Sequence, residues 1–204
     1  MSSSRQPARL IAAGFGENGK MDATTFTQPG LAGQGERYNH VARALHWIIA
    51  LLVIGNIAGG LLHDALEDTI NLIPIHKSVG MTVLALTFVR IAWRLTWRAP
   101  AHPAGMGALE VLAARATHLV FYALMLAMPL SGWIMASAGK YPLNWFGLVD
   151  LPKLAVTRAD PAYLIGREAH ELLGWLFAAL AVLHIAAALR HHFILRDGVL
   201  KRML

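Results

Sequence analysis

Four long apolar runs constrain the fold of this chain more than any other feature. They cover about residues 41–62, 74–97, 111–136 and 167–192, and each can cross a hydrocarbon core of ~30 Å at ~1.5 Å per helical residue. With 56% hydrophobic and 15% charged residues, the chain is also more apolar than ordinary soluble domains. The sequence therefore predicts an all-α fold, an integral membrane four-helix bundle over residues 38–204.

The N-terminal segment differs from these runs in composition. Residues 1–37 are polar and rich in Ser, Gly, Thr and Gln, so we expect a disordered cytoplasmic tail. Met21 is an alternative start of the chain. We assign no function to this segment.

Basic residues beside the apolar runs predict the orientation. Most of them lie at the ends of the runs that would share one membrane side: Arg37, Arg43, Arg90, Arg94, Arg98, Arg115, Arg190, Arg196, Lys201 and Arg202. By the positive-inside rule, both termini should face the cytoplasm. The net charge of +6 then reflects topology, and we expect no nucleic-acid partner.

Histidine is the abundant nitrogen ligand for metal ions in the chain. There are ten histidines and no cysteine, which excludes disulfides, cysteine-ligated iron–sulfur clusters and covalently attached c-type haem. Four histidines of the apolar runs stand out as possible ligands: His46, His76, His170 and His184. An ionisable group inside a membrane needs a partner or a cavity, so these four are the candidate site residues.

The predicted topology sorts the four histidines into two pairs. His170 and His184 are fourteen residues apart, which places them within ~40° of one helix face and ~21 Å apart along the axis. His46 should lie at the depth of His184, and His76 at the depth of His170. Each pair can supply both axial ligands of a haem iron. We therefore predict two haem b groups between the helices.

Other residues could support such cofactors. Small residues that would let a porphyrin approach the backbone are Gly55, Gly59, Gly60, Gly80, Gly132 and Gly174. Residues that could pair with haem propionates are Arg90, Arg94, Lys77 and Arg167. His118 should lie in the same cytoplasmic half of the membrane as His46 and His184. It could therefore replace either as a ligand, support a ligand or face a quinone. The remaining histidines, which we expect at interfaces or in solvent, are His40, His63, His102, His191 and His192.

The longest connection, over residues 137–166, contains Trp145, Phe146 and Leu148. These residues suggest a short amphipathic segment at the membrane interface, which would suit a lid or a docking surface.

Four stretches resemble the bacterial cytochrome b-561 family: RALHWIIALLVIG, IHKSVGMTVLALTFVRIAWRL, ATHLVFYALMLAMPLSGWIM and EAHELLGWLFAALAVLHIAAALRHHFILRDGVLKRML. The resemblance covers about residues 38–204. It implies a four-helix inner-membrane protein whose two haem b groups are ligated by the four histidines in the two pairs above.

The resemblance also implies an oxidoreductase activity, the oxidation of superoxide at the periplasmic face with reduction of membrane ubiquinone. Basic residues that could attract superoxide are Lys77, Lys140, Lys153, Arg158 and Arg167. We expect the quinone beside His76 and His170. Two alternatives stay open: a cytochrome b membrane anchor that relays electrons between quinone and a soluble dehydrogenase or hydrogenase, and a cofactor-free transporter whose histidines relay protons.

Overall fold

Four long helices make up most of the structure. The computed structural model describes residues 37–97, 100–101 and 106–204. The long helices are α1 (His40–Leu61), α3 (Ile73–Thr96), α4 (Ala108–Ser137) and α5 (Pro161–Arg190), and the short α2 (His63–Leu66) follows α1. All four are long and apolar enough to cross a membrane, which confirms the predicted four-helix fold. The predicted tail, apart from Arg37, and His102 lie outside the described residues.

The helices pack in chain order. Helix α1 packs on α3, α3 on α4 and α4 on α5, whereas α1 and α5 touch only slightly. Neighbouring long helices are antiparallel, so the beginning of α1 and the end of α5 lie at one end of the bundle. We call this the terminal end. The opposite end, where α1 and α4 finish, is the hairpin end.

A small core holds the middle of the bundle together. Its buried members are Ile49, Val53, Val83, Leu124, Met125 and Phe177. Many large apolar side chains face outward instead, among them Leu95 at 83% and Leu172 at 70% exposed. So much outward apolar surface requires lipid around the helices. The fold is that of a membrane helical bundle.

The long connection forms a β-hairpin, which the prediction of an amphipathic interfacial segment did not describe. Strand β1 (Leu143–Trp145) pairs antiparallel with β2 (Val149–Leu151). The turn between them places Phe146 and Gly147 at φ of 49° and 75°, as a type I′ turn requires. Phe146 is a bulky residue in a left-handed conformation, and the buried Ser78 hydroxyl of α3 accepts its backbone N–H at 3.0 Å.

The hairpin is fastened to α3 along one face of that helix. Ser78 Oγ lies 2.9 Å from the Pro74 carbonyl and 3.3 Å from that of Asn144. One helical turn further on, the Trp145 indole donates to Thr82 Oγ1 at 3.1 Å. The hairpin therefore packs beside the first turns of α3.

The chain after α5 folds back over the terminal end. Helix α5 continues as a short π-helix (His191–Leu195), and a 3₁₀ turn (Leu200–Arg202) follows. The Tyr38 N–H donates to the Arg202 carbonyl at 3.1 Å, and the Trp47 indole donates to the Met203 carbonyl at 2.8 Å. These bonds tie the last residues to the beginning of α1.

Candidate haem sites

The hairpin end brings together His76 and His170. His76 lies in the first turn of α3 and His170 in the first third of α5, and their ring centroids are 6.1 Å apart with an interplanar angle of 75°. We call these two residues the hairpin-end pair. Both rings are half-buried between helices.

Backbone carbonyls orient both rings of this pair. His76 Nδ1 lies 3.2 Å from the Asn56 carbonyl of α1, and His170 Nδ1 lies 3.2 Å from the Met128 carbonyl of α4. Since a carbonyl only accepts, Nδ1 of each ring carries the hydrogen and Nε2 keeps its lone pair. Metal-ligating histidines typically have this arrangement, in which a fixed Nδ1–H leaves Nε2 for the metal.

A glycine lies against each of these rings. A Cβ at Gly60 would be 3.2 Å from Cε1 of His76, and a Cβ at Gly132 would be 3.1 Å from Cε1 of His170. Each glycine comes four residues after the residue whose carbonyl holds the ring, Asn56 or Met128. The two rings are thus seated alike, each on one turn of a neighbouring helix. Ser131, which is buried, adds a contact of 3.0 Å to His170 Nδ1.

The terminal end brings together His46 and His184, which we call the terminal-end pair. Their ring centroids are 6.3 Å apart, with an interplanar angle of 33°. His118 of α4 is as close to His184, at 6.0 Å. The structure therefore places two histidines opposite His184, and the alternative ligand considered from the sequence stays open. Phe121 packs edge-on against His184 at 5.2 Å.

The separations fit a cofactor metal that two imidazoles share. Two rings on opposite sides of one metal ion should have centroids about 6 Å apart, from roughly 2 Å per metal–nitrogen bond and about 1.1 Å from nitrogen to ring centre. Both pairs and the His118–His184 contact match this value. No cluster of three or more potential metal ligands occurs among the described residues, so the arrangement suits a metal that brings other ligands with it, as haem iron does.

Comparison with known proteins supports the same class of protein. The sequence model of the prokaryotic cytochrome b561 family matches residues 37–204. The chain belongs to this family.

The matches to relatives within the family cover nearly the whole length of each relative. Cytochrome b561 homolog 2 of Escherichia coli is 35% identical over 180 residues, which are 83% of this chain and 92% of the relative. The probable superoxide oxidase CybB of Yersinia pestis is 28% identical over 173 residues, 83% of this chain and 96% of the relative. Cytochrome b562 of Cereibacter sphaeroides is 29% identical over 175 residues, with coverages of 82% and 94%.

Membership of the cytochrome b561 family establishes the general role of the chain. It is a bacterial membrane protein that transfers electrons, and a cytochrome b uses haem b. The fit of the histidine pairs agrees with that cofactor. The resemblance inferred from the sequence is therefore confirmed at the level of the family.

A buried phenylalanine separates the two candidate sites of this cytochrome b561 family member. Phe177 is seven residues from both His170 and His184 on α5, and it is 5% exposed. Its ring is 5.8 Å from that of Phe121, which in turn contacts His184. The packed core around Phe177 keeps the two sites at separate depths.

Only some of the residues that the sequence predicted to support the haem groups lie close to the two histidine pairs. Arg90 lies within electrostatic range of His46 and donates to the Tyr122 hydroxyl at 3.2 Å. Gly55 and Gly59 have open space beside them, whereas a Cβ at Gly80 or at Gly174 would lie 3.7 Å from the side chain of Asn56 or Met128, respectively. Two further histidines, His191 and His192, lie in the turn after α5.

Sequence reasoning missed the groups that hold the hairpin-end rings. The carbonyls of Asn56 and Met128 are backbone atoms, so no residue type signals them. Ser131 was also missed. The spacing of four residues to Gly60 and Gly132 was the available signal, because a missing side chain one turn away leaves room for a ring.

Proposed function

We propose that the chain holds two haem b groups, one between His46 and His184 and one between His76 and His170, and that it oxidises superoxide and reduces membrane ubiquinone. The observation that carries the proposal is the seating of the hairpin-end pair. Its rings combine a shared-metal separation with Nδ1–H groups fixed by carbonyls. The terminal-end pair supports it through the same separation.

The protein's own groups would position and tune the cofactors. Haem b would supply one-electron redox chemistry, and the two imidazoles of each pair would hold its iron and leave no place for oxygen to bind. The carbonyls of Asn56 and Met128 set the ring tautomers and raise the basicity of Nε2. The core around Phe177 excludes water from the region between the two sites.

Charge distribution supports an orientation with the terminal end in the cytoplasm of an inner membrane. Nine Lys and Arg residues of the part of the chain that the structure describes belong to that end, including Arg190, Arg196, Lys201 and Arg202. The hairpin end has five Lys and Arg residues. The positive-inside rule counts Lys and Arg residues rather than net charge. Both termini of the membrane domain would then face the cytoplasm, and the hairpin would face the periplasm.

The hairpin end would receive superoxide. Its five basic residues form no ion pair among the described residues. Seven carboxylates also belong to the hairpin end of the bundle, so the net charge of this end is not positive. An anion can therefore be attracted only by a local group of basic residues. Lys77, next to His76, and Lys153 interact electrostatically and form the best local source of positive potential. The printed name of the Yersinia pestis relative supports superoxide as the donor.

The overall reaction balances when two protons come from the solvent. Two superoxide anions each lose one electron and become O₂, and one ubiquinone takes up the two electrons and two protons to become ubiquinol. We expect the quinone beside His76 and His170, at the same end of the bundle as the hairpin.

The test is superoxide-driven reduction of a ubiquinone analogue by the purified, haem-loaded protein. We compare the wild type with Lys77→Gln and Lys153→Gln, and with Arg115→Gln at the terminal end as a matched loss of charge. The proposal predicts slower reduction in the first two variants only, with a difference that shrinks at high salt. A protein that dithionite reduces but superoxide does not would contradict the donor, and would favour the membrane-anchor alternative.

A further inference from the structure

The turn that follows α5 forms a cavity that neither candidate haem site uses. The cavity is about 280 Å³ in volume, and its lining residues are His192, Phe193, Arg196, Gly198 and Lys201. Arg196 and Lys201 bring positive charge, and the His192 imidazole adds a further hydrogen-bonding group. This composition suits an anionic ligand.

The turn is a built structure and not a loose basic tail. Arg196 and Gly198 adopt left-handed conformations, with φ of 54° and 78°. The Asp197 carboxylate is bonded to His191 Nδ1 and accepts the Val199 N–H at 3.1 Å. Asp197 is the only acidic residue between α5 and the end of the chain. Its carboxylate is engaged by these two groups and forms no ion pair with Arg196 or Lys201.

The two cations have no carboxylate partner in the part of the chain that the structure describes. Arg196 Nε donates to the Phe193 carbonyl at 3.4 Å, and neither Arg196 nor Lys201 forms an ion pair. Both side chains are exposed. Their N–H groups are therefore available to an anion that enters the cavity.

The position of the cavity indicates a membrane lipid as the source of that anion. The apolar stretch of the fourth span continues to Leu195, and Phe193 and Ile194 are 65% and 73% exposed. Apolar side chains at the end of a span contact acyl chains, and neighbouring basic side chains reach the headgroups. We propose that this cavity binds the phosphate of an anionic phospholipid, whose acyl chains lie along Phe193 and Ile194.

The test measures lipid retention by native mass spectrometry of the full-length, haem-loaded protein with phosphatidylglycerol or phosphatidylcholine. The test variant is Arg196→Gln with Lys201→Gln. The control is Lys140→Gln with Arg158→Gln, which removes the same charge at the hairpin end. We expect preferential retention of phosphatidylglycerol by the wild type and the control, and a loss of about fivefold for each basic residue removed from the cavity. If the test variant does not fold, Lys201→Gln alone should give the fivefold loss.

Several results would overturn the proposal. Equal loss in test and control variants would show diffuse charge attraction, and equal retention of both lipids would exclude recognition of the headgroup. Displacement of the lipid by inorganic phosphate at similar concentration would identify a site for soluble anions. Loss of haem from the test variant, with lipid retained, would assign the cavity to the cofactor. The lipid proposal does not depend on which histidines ligate haem, so its failure would leave the proposed function standing.

Discussion

Replacement of Gly60 by alanine should disturb the hairpin-end pair in a way that can be worked out from the structure. A Cβ at Gly60 would be 3.2 Å from Cε1 and 3.5 Å from Nδ1 of His76, so the ring must move back by a few tenths of an ångström. Gly60 and Asn56 are on the same helix, one turn apart, so the movement lengthens the bond from His76 Nδ1 to the Asn56 carbonyl. That bond, at 3.2 Å, is already at the long limit for a hydrogen bond.

The expected cost has two parts. Loss of the hydrogen bond costs about 1 kcal/mol, and overpacking of the ring costs about 1–3 kcal/mol. Removal of a group that orients a ligand typically lowers metal affinity by about 10–100-fold. We therefore expect Gly60→Ala to lose haem from the hairpin-end site at least about tenfold more readily than the wild type. Gly132→Ala should act in the same way through His170.

The assay is haem content per chain after detergent exchange, and the matched control is Gly59→Ala. Gly59 is adjacent to Gly60 on the same helix, and a Cβ there would meet nothing within 4 Å. Both alanines gain the same helix propensity, about 1 kcal/mol, so a general effect on α1 cancels in the comparison. Equal haem retention by Gly59→Ala and Gly60→Ala would refute the seating of His76 against the glycine.

Three further predictions concern the hairpin, the turn after α5 and the electronic difference between the sites. Ser78→Ala should lower the free energy of unfolding by about 1–3 kcal/mol, because the Phe146 N–H loses its acceptor. The control Thr96→Ala, at an exposed helix end, should have little effect. Thermal unfolding followed by haem absorbance distinguishes the two variants. Burial raises the pKa of Asp197, but hydrogen bonds from His191 and Val199 outweigh it and leave this pKa below its usual 3.8, so the stabilisation is present above that pH and is lost as pH falls through the lowered pKa. Asp197→Asn should therefore lower the free energy of unfolding at pH 7 by at most about 1 kcal/mol, measured by thermal unfolding, and the difference from the wild type should vanish in acid. Ring planes at 33° in the terminal-end pair and 75° in the hairpin-end pair should give two distinct low-spin ferric signals in electron paramagnetic resonance, and a single common signal would contradict the two geometries.

The parts of the fold that could be predicted are those set by apolar length and topology. Four runs of sufficient length can only become membrane helices, and alternating direction then decides which histidines share a depth. The pairing of His46 with His184 and of His76 with His170 follows from these two constraints. Their ring centroids do lie close together in the structure.

The rest depends on contacts that a sequence pattern does not encode. The hairpin turn has Phe146 where a type I′ turn favours Asn or Asp, so the usual signal is missing. The fold-back of the last residues rests on a bond between Trp47 and Met203, which are 156 positions apart. Helix α5 begins at Pro161, six residues before the predicted apolar run, because proline suits a first helical turn whether or not that turn is apolar.

The choice between His46 and His118 shows the same limit in the site itself. Both residues occupy the terminal half, and their distances to His184 differ by little, 6.3 Å and 6.0 Å. Depth alone does not separate them. Haem content of His46→Ala and His118→Ala decides which one is the ligand.

The central claim is that the two histidine pairs each hold one haem b. The most direct measurement is the dithionite-reduced minus oxidised visible spectrum, with haem quantification, of the purified wild type and of His46→Ala, His76→Ala, His170→Ala and His184→Ala. We predict sharp low-spin b-type bands at two haems per chain, and about one haem in each variant. A protein with one haem or none, or a His76→Ala or His170→Ala variant that keeps both haems, would contradict the claim.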